Sequence, residues 1–210
     1  MVDTLGDFDV ALNRMLADLG LPAIDRSVIA TMVGKGSEHL VDSVLKHVNA
    51  LVQRSDSAIE NRALPDRAWT AYQAHYAVVN GRYSAVYPGV REGLRSFRER
   101  GWRLACLTNK PLAFAQVLLE VQQLAGFFDV VFGGDSFERK KPDPLPLLKT
   151  CEALGTEPAR TLMIGDSSND ARAARAAGCP VWLVTYGYNH GEPIRGVDAD
   201  GFVDSIEWID

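Results

Sequence analysis

The chain has 210 residues, of which 47% are hydrophobic and 23% charged, with a formal net charge of -5 and a pI near 5.4. This length suits one domain with a large insertion or two small domains, and the composition excludes a collagen-like, low-complexity or disordered chain. The acidic balance argues against nucleic acid as the main partner, because binding to a phosphate backbone depends on clustered Lys and Arg.

The N-terminal segment and the cysteines predict a cytoplasmic location. Residues 1–7 are acidic and have neither the basic nor the apolar region of a signal peptide. No apolar run approaches the roughly 18 residues of a membrane span, so no membrane partner is expected. Cys106, Cys151 and Cys179 are far apart and lack metal-ligand spacing, which fits free thiols in a reducing compartment.

The first eighty residues have apolar side chains at helical spacing. A stripe from Phe8 to Leu19 predicts a helix that ends at Gly20. Further helices are predicted from about Ser37 to Val48 and from Asp66 to Val79. Because this part shows no convincing strand, residues 1–82 are predicted to form a helical unit.

After Tyr83 the pattern changes to short apolar runs that alternate with amphipathic stretches. Repeated strand, loop and helix units predict an α/β unit over residues 83–210, with a parallel sheet covered on both faces. Ligands of such sheets bind at the carboxyl ends of the strands. The predicted strands are 103–107, 130–132, 161–164, 181–184 and 201–203, and the predicted helices are 111–121, 145–154 and 169–177.

Thr108 and Asn109 follow the first of these strands, just ahead of a predicted helix. A hydroxyl and a carboxamide at this position suit hydrogen bonds to phosphate oxygens, together with free backbone amides. The alternative is that one of them simply caps the helix.

Lys141 lies between Lys140 and Pro142, ahead of another predicted helix. An ammonium group there suits the neutralisation of a phosphoryl group or the orientation of an acidic nucleophile. The alternative is a solvated lysine, and the neighbouring Lys140 competes for the role.

Asp166 and Asp170 follow the apolar strand at 161–164. If the helix has already begun at Asp166, the two carboxylates share one face and converge on a hard cation. The alternative makes Asp166 or Ser168 the N-cap of an acid-rich first turn. Taken together, the three loops offer the groups that bind a phosphoryl group through Mg²⁺.

These segments resemble the second, third and fourth motifs of the haloacid dehalogenase superfamily, in order and at suitable distances. Further segments are similar to bacterial phosphoglycolate phosphatases, and the resemblance covers nearly the whole chain. They are Tyr87-Pro88-Gly89-Val90, Phe132-Gly133-Gly134-Asp135, Lys140-Lys141-Pro142-Asp143-Pro144 and Tyr186-Gly187-Tyr188-Asn189-His190-Gly191.

The resemblance implies a Rossmann-like core with an α-helical cap domain inserted after the first strand. It implies a small-molecule phosphate ester as substrate and an aspartate that attacks phosphorus to form an aspartyl phosphate. Thr108 and Asn109 are expected to hold phosphate oxygens and Lys141 to balance charge near the nucleophile. Asp166 is expected to bind Mg²⁺, with Asp170 as an auxiliary metal residue.

The family's first motif, an apolar strand that ends in Asp-x-Asp-Gly-Thr, is not found in the sequence. Residues 1–4 resemble the segment just after that motif, and neither Asp3 nor Asp9 fits the nucleophile position. We therefore expect the nucleophile and the central first strand to lie upstream of Met1. The chain as written is expected not to turn over substrate by this mechanism.

Gly34-Lys35-Gly36 interrupts the helical unit, and in the family such a cap loop reaches over the active site. Lys35 is a candidate for binding the carboxylate of phosphoglycolate, and the glycines allow close backbone approach. A turn between helices with an exposed lysine is an equal alternative.

Other functions remain open at this point. A sugar phosphomutase shares the core and the cap type, and a non-catalytic phosphate-binding or regulatory domain fits the absent nucleophile. A dehalogenase is less favoured, because paired carboxylates indicate a metal that dehalogenation does not need. The sequence does not indicate an oligomeric state.

Overall fold

The computed structural model describes residues 1–53 and 64–209, and the first part of the chain is a unit of four helices. Their apolar side chains share one core, in which Leu12, Met15 and Tyr72 are fully buried. The three predicted helices are confirmed, whereas the short second helix, which buries only Ile29, was not predicted. The helices are α1 (Leu5–Asp18), α2 (Arg26–Met32), α3 (Ser37–Gln53) and α4 (Leu64–Val79).

The second part of the chain alternates strands and helices, as predicted. Three of the predicted strands have the expected bounds, and the other two are shifted by one or two residues. Helix α5, next to a two-residue strand β2, was not predicted. In order, the elements are β2 (Ala85–Val86), α5 (Val90–Glu99), β3 (Ala105–Leu107), α6 (Leu112–Val121), β4 (Val130–Phe132), α7 (Leu145–Leu154), β5 (Met163–Gly165), α8 (Ser168–Ala177), β6 (Val181–Val184) and β7 (Gly201–Val203).

The strands form two small parallel sheets rather than one continuous sheet. One joins β3 to β4 and the other has the order β5-β6-β7. In the described part of the chain, β3 and β5 do not pair with each other. A cavity of about 780 Å³ is lined by residues 104–107 along β3 and 161–165 along β5. The absent central strand stays a prediction.

One prediction for the first eighty residues is wrong, because a short strand precedes the helices. Strand β1 (Val2–Asp3) pairs antiparallel with β2, with Val2 opposite Val86. Met1 and Val2 also pack against a core cluster of the second part. Two residues with no apolar alternation give no strand signal in the sequence, since the pairing is made over a long distance in the chain. The domain boundary at residue 82 stays a prediction.

Helices cover both faces of the parallel sheets, as predicted. Successive side chains of a strand point to opposite faces, and in β6 Leu183 packs with the cluster that contains α7 and α8. Its neighbour Val184 packs with the cluster that contains α5 and α6. The three cysteines are buried and free, as expected. In the described ranges, none of the helices has the length and apolar character needed to cross a membrane.

Asp7 connects the start of the helical unit to the segment that leaves it. Its side chain is fully buried in the first turn of α1. It accepts hydrogen bonds from the backbone N–H groups of Gly81 and Tyr83, both at 2.7 Å, and from the Ser84 hydroxyl. Charge-assisted hydrogen bonds of this kind satisfy a buried carboxylate. The two chain segments that join the helical unit to the sheets therefore lie side by side.

Candidate active site

Loops from three elements bring polar side chains to one cavity. Thr108 and Asn109 directly follow β3, Asp166 directly follows β5, and Lys141 comes from the loop ahead of α7. All four line the cavity that lies between the two parallel sheets. The structure thus brings these sequence-predicted residues together, while their individual roles stay predictions.

Lys141 and Asp170 form a buried ion pair at the edge of this cavity. The Lys141 Nζ lies 2.7 Å from Asp170 Oδ1, and the two side chains are only 8% and 7% exposed. Lys141 Nζ also donates to the Leu107 carbonyl at 2.7 Å. Burial alone would raise the pKa of Asp170, but attraction to Lys141 and the hydrogen bonds to the carboxylate hold it below its ordinary value. The pair fixes the Lys141 ammonium at the carboxyl end of β3.

Asp170 is also bound to the start of α8. Ser167 is the N-cap and Asp170 the N3 residue of a capping box. Asp170 Oδ2 accepts from the Ser167 hydroxyl at 2.8 Å and from the backbone N–H groups of Asp166 and Ser167. The helix begins at Ser168, so Asp166 precedes it and the expected shared helix face does not exist. Both oxygens of Asp170 already have partners within the protein.

Asp166 has an oxygen available to a ligand. Its Oδ2 accepts from the Tyr188 N–H at 3.3 Å, whereas no hydrogen bond to Oδ1 is found among residues 1–53 and 64–209. A Cβ at Gly187 would lie 2.3 Å from Asp166 Oδ2, so the backbone there approaches the carboxylate closely. Burial, followed by repulsion from Asp170, raises the pKa of Asp166 to about 6. A nearby cation would stabilise the ionised Asp166 carboxylate against both burial and the repulsion from Asp170.

Thr108 and Asn109 do not cap the following helix. The Thr108 hydroxyl accepts from the Lys110 N–H at 3.2 Å, and the Asn109 side-chain amide donates to the Lys141 carbonyl at 2.8 Å. The first N–H group of α6, at Leu112, is instead capped by Asp135 at 2.7 Å. The Asn109 bond joins the loop after β3 to the loop that carries Lys141.

The turn at residues 33–36 lies against the same loops. Gly34 and Gly36 line the cavity, whereas Lys35 is exposed and does not. Gly34 has a φ of 120°, and a Cβ there would lie 2.6 Å from the His190 ring. Only glycine therefore fits this approach. The turn and the loop of His190 also contact each other at His190 Nδ1, which lies 3.1 Å from the Val33 carbonyl oxygen.

Sequence reasoning missed two groups at this site. Gly187 and Tyr188 hold Asp166 in place, although they were noted only as part of a similar segment. Lys110 lines the cavity directly after Asn109. Because Lys110 directly follows Thr108 and Asn109, the sequence indicates that it lies near the site. Its burial could not be predicted, because the helices that bury it are distant in the chain.

The residues present fit a magnesium ion. Mg²⁺ is usually bound by one or two carboxylates, waters and substrate phosphate oxygens, rather than by a cage of side chains. Asp166 offers one carboxylate oxygen at the cavity. Within the described ranges, no group of three or more His, Cys, Asp or Glu side chains converges on a point.

Known proteins with the same name match this chain over nearly its whole length. The phosphoglycolate phosphatase of Nitrosospira multiformis is 43% identical over 206 residues, which cover 98% of this chain and 88% of that protein. The phosphoglycolate phosphatase of Thiobacillus denitrificans is 40% identical with the same coverage. The match therefore extends well beyond the short motifs of the site.

A solved structure and a family model agree with these relatives. The crystal structure of a predicted phosphoglycolate phosphatase from Haemophilus somnus superposes with a TM-score of 0.91 at 29% identity, covering 99% of this chain and 90% of the other. Residues 7–178 match the model of the haloacid dehalogenase-like hydrolases. That range contains most of α1 and also Thr108, Lys141 and Asp166. The chain therefore belongs to the haloacid dehalogenase-like hydrolase family.

Proposed function

We propose that the protein is a magnesium-dependent phosphatase that hydrolyses 2-phosphoglycolate to glycolate and phosphate. The observation that carries the proposal is the convergence of Thr108, Asn109, Lys141 and Asp166 on one cavity. Relatives named phosphoglycolate phosphatase, at up to 43% identity over nearly the whole chain, support the choice of substrate.

Each residue has a role that follows from its contacts. The Thr108 hydroxyl and the Asn109 N–H group bind phosphate oxygens, whereas the N–H groups of Thr108 and Lys110 are bonded within the protein. Lys141, fixed by Asp170 at 2.7 Å, neutralises charge where the nucleophile meets phosphorus. Asp166 holds Mg²⁺, which supplies charge neutralisation at the phosphoryl oxygens. Asp170 has no free oxygen, so we propose it as the residue that positions Lys141 rather than as a direct metal ligand.

The nucleophile is proposed to be an aspartate on a further strand between β3 and β5. Among the described residues, Asp166 and Asp170 are the only carboxylates that line the cavity. The first has the metal role and the second is paired with Lys141. Asp3 accepts bonds from the Tyr188 hydroxyl and the Leu5 N–H and does not line the cavity.

The space between the parallel sheets suits such a strand. Its walls are the backbone edges of β3 and β5 together with apolar side chains, including Leu104, Cys106 and Ile164. A parallel strand there would end beside Lys141 and Asp166. Its aspartate oxygen would attack phosphorus as glycolate leaves, and water would then hydrolyse the aspartyl phosphate. The strand expected upstream of Met1 is the proposed source.

The helical unit is proposed to act as the cap over this site. Its turn at residues 33–36 contacts the loop of His190, and Gly34 and Gly36 bring backbone to the cavity. Lys35 is one candidate for the substrate carboxylate. A cytoplasmic location is proposed from the sequence.

The test is phosphate release from 2-phosphoglycolate, measured with and without Mg²⁺. The 210-residue chain is compared with a version extended upstream by its natural sequence, and each is also prepared as Asp166→Asn. We expect release only from the extended protein with Mg²⁺, and a loss in its Asp166→Asn variant. Isomerisation of a hexose phosphate instead of release would indicate a phosphomutase. Phosphate binding without turnover in both versions would indicate a non-catalytic domain.

A further inference from the structure

Lys110 points from the loop after β3 into the helical unit. Its Nζ lies 4.9 Å from the centre of the Phe8 ring and 4.5 Å from that of Tyr76, and it donates a hydrogen bond to the Tyr76 hydroxyl. No ion pair of Lys110 is found within residues 1–53 and 64–209. One of the three donors of the ammonium group is used by Tyr76, and Lys110 also lines the cavity.

Buried tyrosines and Ser37 lie on the side of Lys110 that faces the helical unit. Tyr72 stacks on Tyr76 with ring centres 5.4 Å apart. The Tyr72 hydroxyl is buried next to the Ser37 side chain, and Ser37 lines the cavity. The cavity therefore has a polar end on the side of the helical unit.

This polar end has the chemistry of a carboxylate site. A cation and a hydroxyl group, those of Lys110 and Ser37, lining one cavity match a carboxylate, which only accepts hydrogen bonds. Lys110 is in the same loop as Thr108 and Asn109, so one substrate can reach both. Lys35, the alternative cation, is exposed and does not line the cavity.

We propose that Lys110, held in place by the Tyr76 hydroxyl, binds the carboxylate of the substrate and selects phosphate esters that carry a second negative charge. This inference rests on the proposed function, because it places the phosphoryl group at Thr108. It makes Lys110 a specificity-determining residue and leaves Lys35 outside the binding site.

We expect the preference for a carboxylate ester to depend on pH, because the charge of Lys110 depends on pH. Burial lowers the pKa of Lys110 to about 7, and attraction to Asp7 opposes this shift only in part. A bound carboxylate favours the protonated amine. The preference for a carboxylate ester should therefore be greater at pH 6.5 than at pH 8.5, when compared with a neutral ester that carries the same phosphate.

The test is calorimetric binding of two esters to the 210-residue chain in the presence of Mg²⁺. The esters are 2-phosphoglycolate and 2-hydroxyethyl phosphate, which differ in the carboxylate. The variants are Lys110→Met, Lys35→Met and, as a matched control, Lys46→Met, whose exposed lysine pairs with Asp42. Methionine keeps the apolar stem in the aromatic site, and thermal unfolding checks each fold.

We expect Lys110→Met to weaken 2-phosphoglycolate binding by roughly tenfold or more and to change 2-hydroxyethyl phosphate binding by less than about threefold. Tyr76→Phe should give a smaller loss in the same direction. An equal effect on both esters, or a selective loss in Lys35→Met alone, would overturn the inference while leaving the proposed function intact. If the unsubstituted chain binds neither ester, this inference fails, whereas phosphate release from the extended protein decides the proposed function separately.

Discussion

Replacing Lys141 by methionine should destabilise the protein strongly at neutral pH. The substitution removes the one partner that Asp170 Oδ1 has among the described residues, since the other contacts of this carboxylate are made by Oδ2. The Asp170 side chain is 7% exposed, and Asp166 repels it from close by. Breaking a buried ion pair by removing one partner costs about 3–5 kcal/mol. A typical domain is stable by only ~5–15 kcal/mol, so the loss is a large share of the total.

The assay is urea unfolding of Lys141→Met in EDTA at pH 7 and at pH 4. The cost should shrink at pH 4, because the isolated Asp170 takes up a proton, whereas the intact pair holds the pKa of Asp170 low. Lys141→Met/Asp170→Asn should lose less than the sum of the single variants. Lys46→Met, which breaks an exposed pair, should cost at most about 1 kcal/mol. A Lys141→Met cost no larger than that of Lys46→Met at pH 7 would refute this account of the ion pair.

Two further predictions concern the proposed metal ligand Asp166 and the buried Lys110. Gly187→Ala places a Cβ 2.3 Å from Asp166 Oδ2 at a φ of 106°, so calorimetry should show at least roughly tenfold weaker Mg²⁺ binding. The control is Gly196→Ala, whose Cβ meets nothing within 4 Å. Equal Mg²⁺ affinities of the two variants would disprove the close contact. Folding lowers the pKa of Lys110 from 10.5 to about 7, so between these pH values the unfolded chain binds more protons than the folded protein. The free energy of unfolding should therefore rise with pH across this window, by up to about 1.4 kcal/mol per pH unit. Lys110→Met should remove that rise, and an unchanged pH profile in the variant would contradict the assigned burial of the amine.

The strands were predictable from sequence because a strand buried on both faces produces a short apolar run. The runs at 130–132 and 181–184 correspond to β4 and β6 without any shift. Strands β1 and β2 have two residues each and half-buried or exposed side chains, so their pairing leaves no local pattern. The helix α2 buries only Ile29, which is too little for an apolar stripe.

Part of the site was predictable because position after a strand is a property of the sequence. Thr108, Asn109 and Asp166 were identified in this way, and the structure brings them to one cavity. The partner of Asp170 was not predictable, because Lys141 reaches it from a separate loop. The same holds for Lys110, whose surroundings are side chains of α1 and α4.

The hydrogen bonds of Asp7 determine how the helical unit is able to move. Both connections to the sheets pass this carboxylate, one through the first turn of α1 and the other through residues 81–84. Sliding of the helical unit relative to the sheets would break all of these hydrogen bonds. Rotation of the helical unit about the line through its two connections to the sheets would keep them. Such a hinge would lift the turn at 33–36 away from His190 and open that side of the cavity.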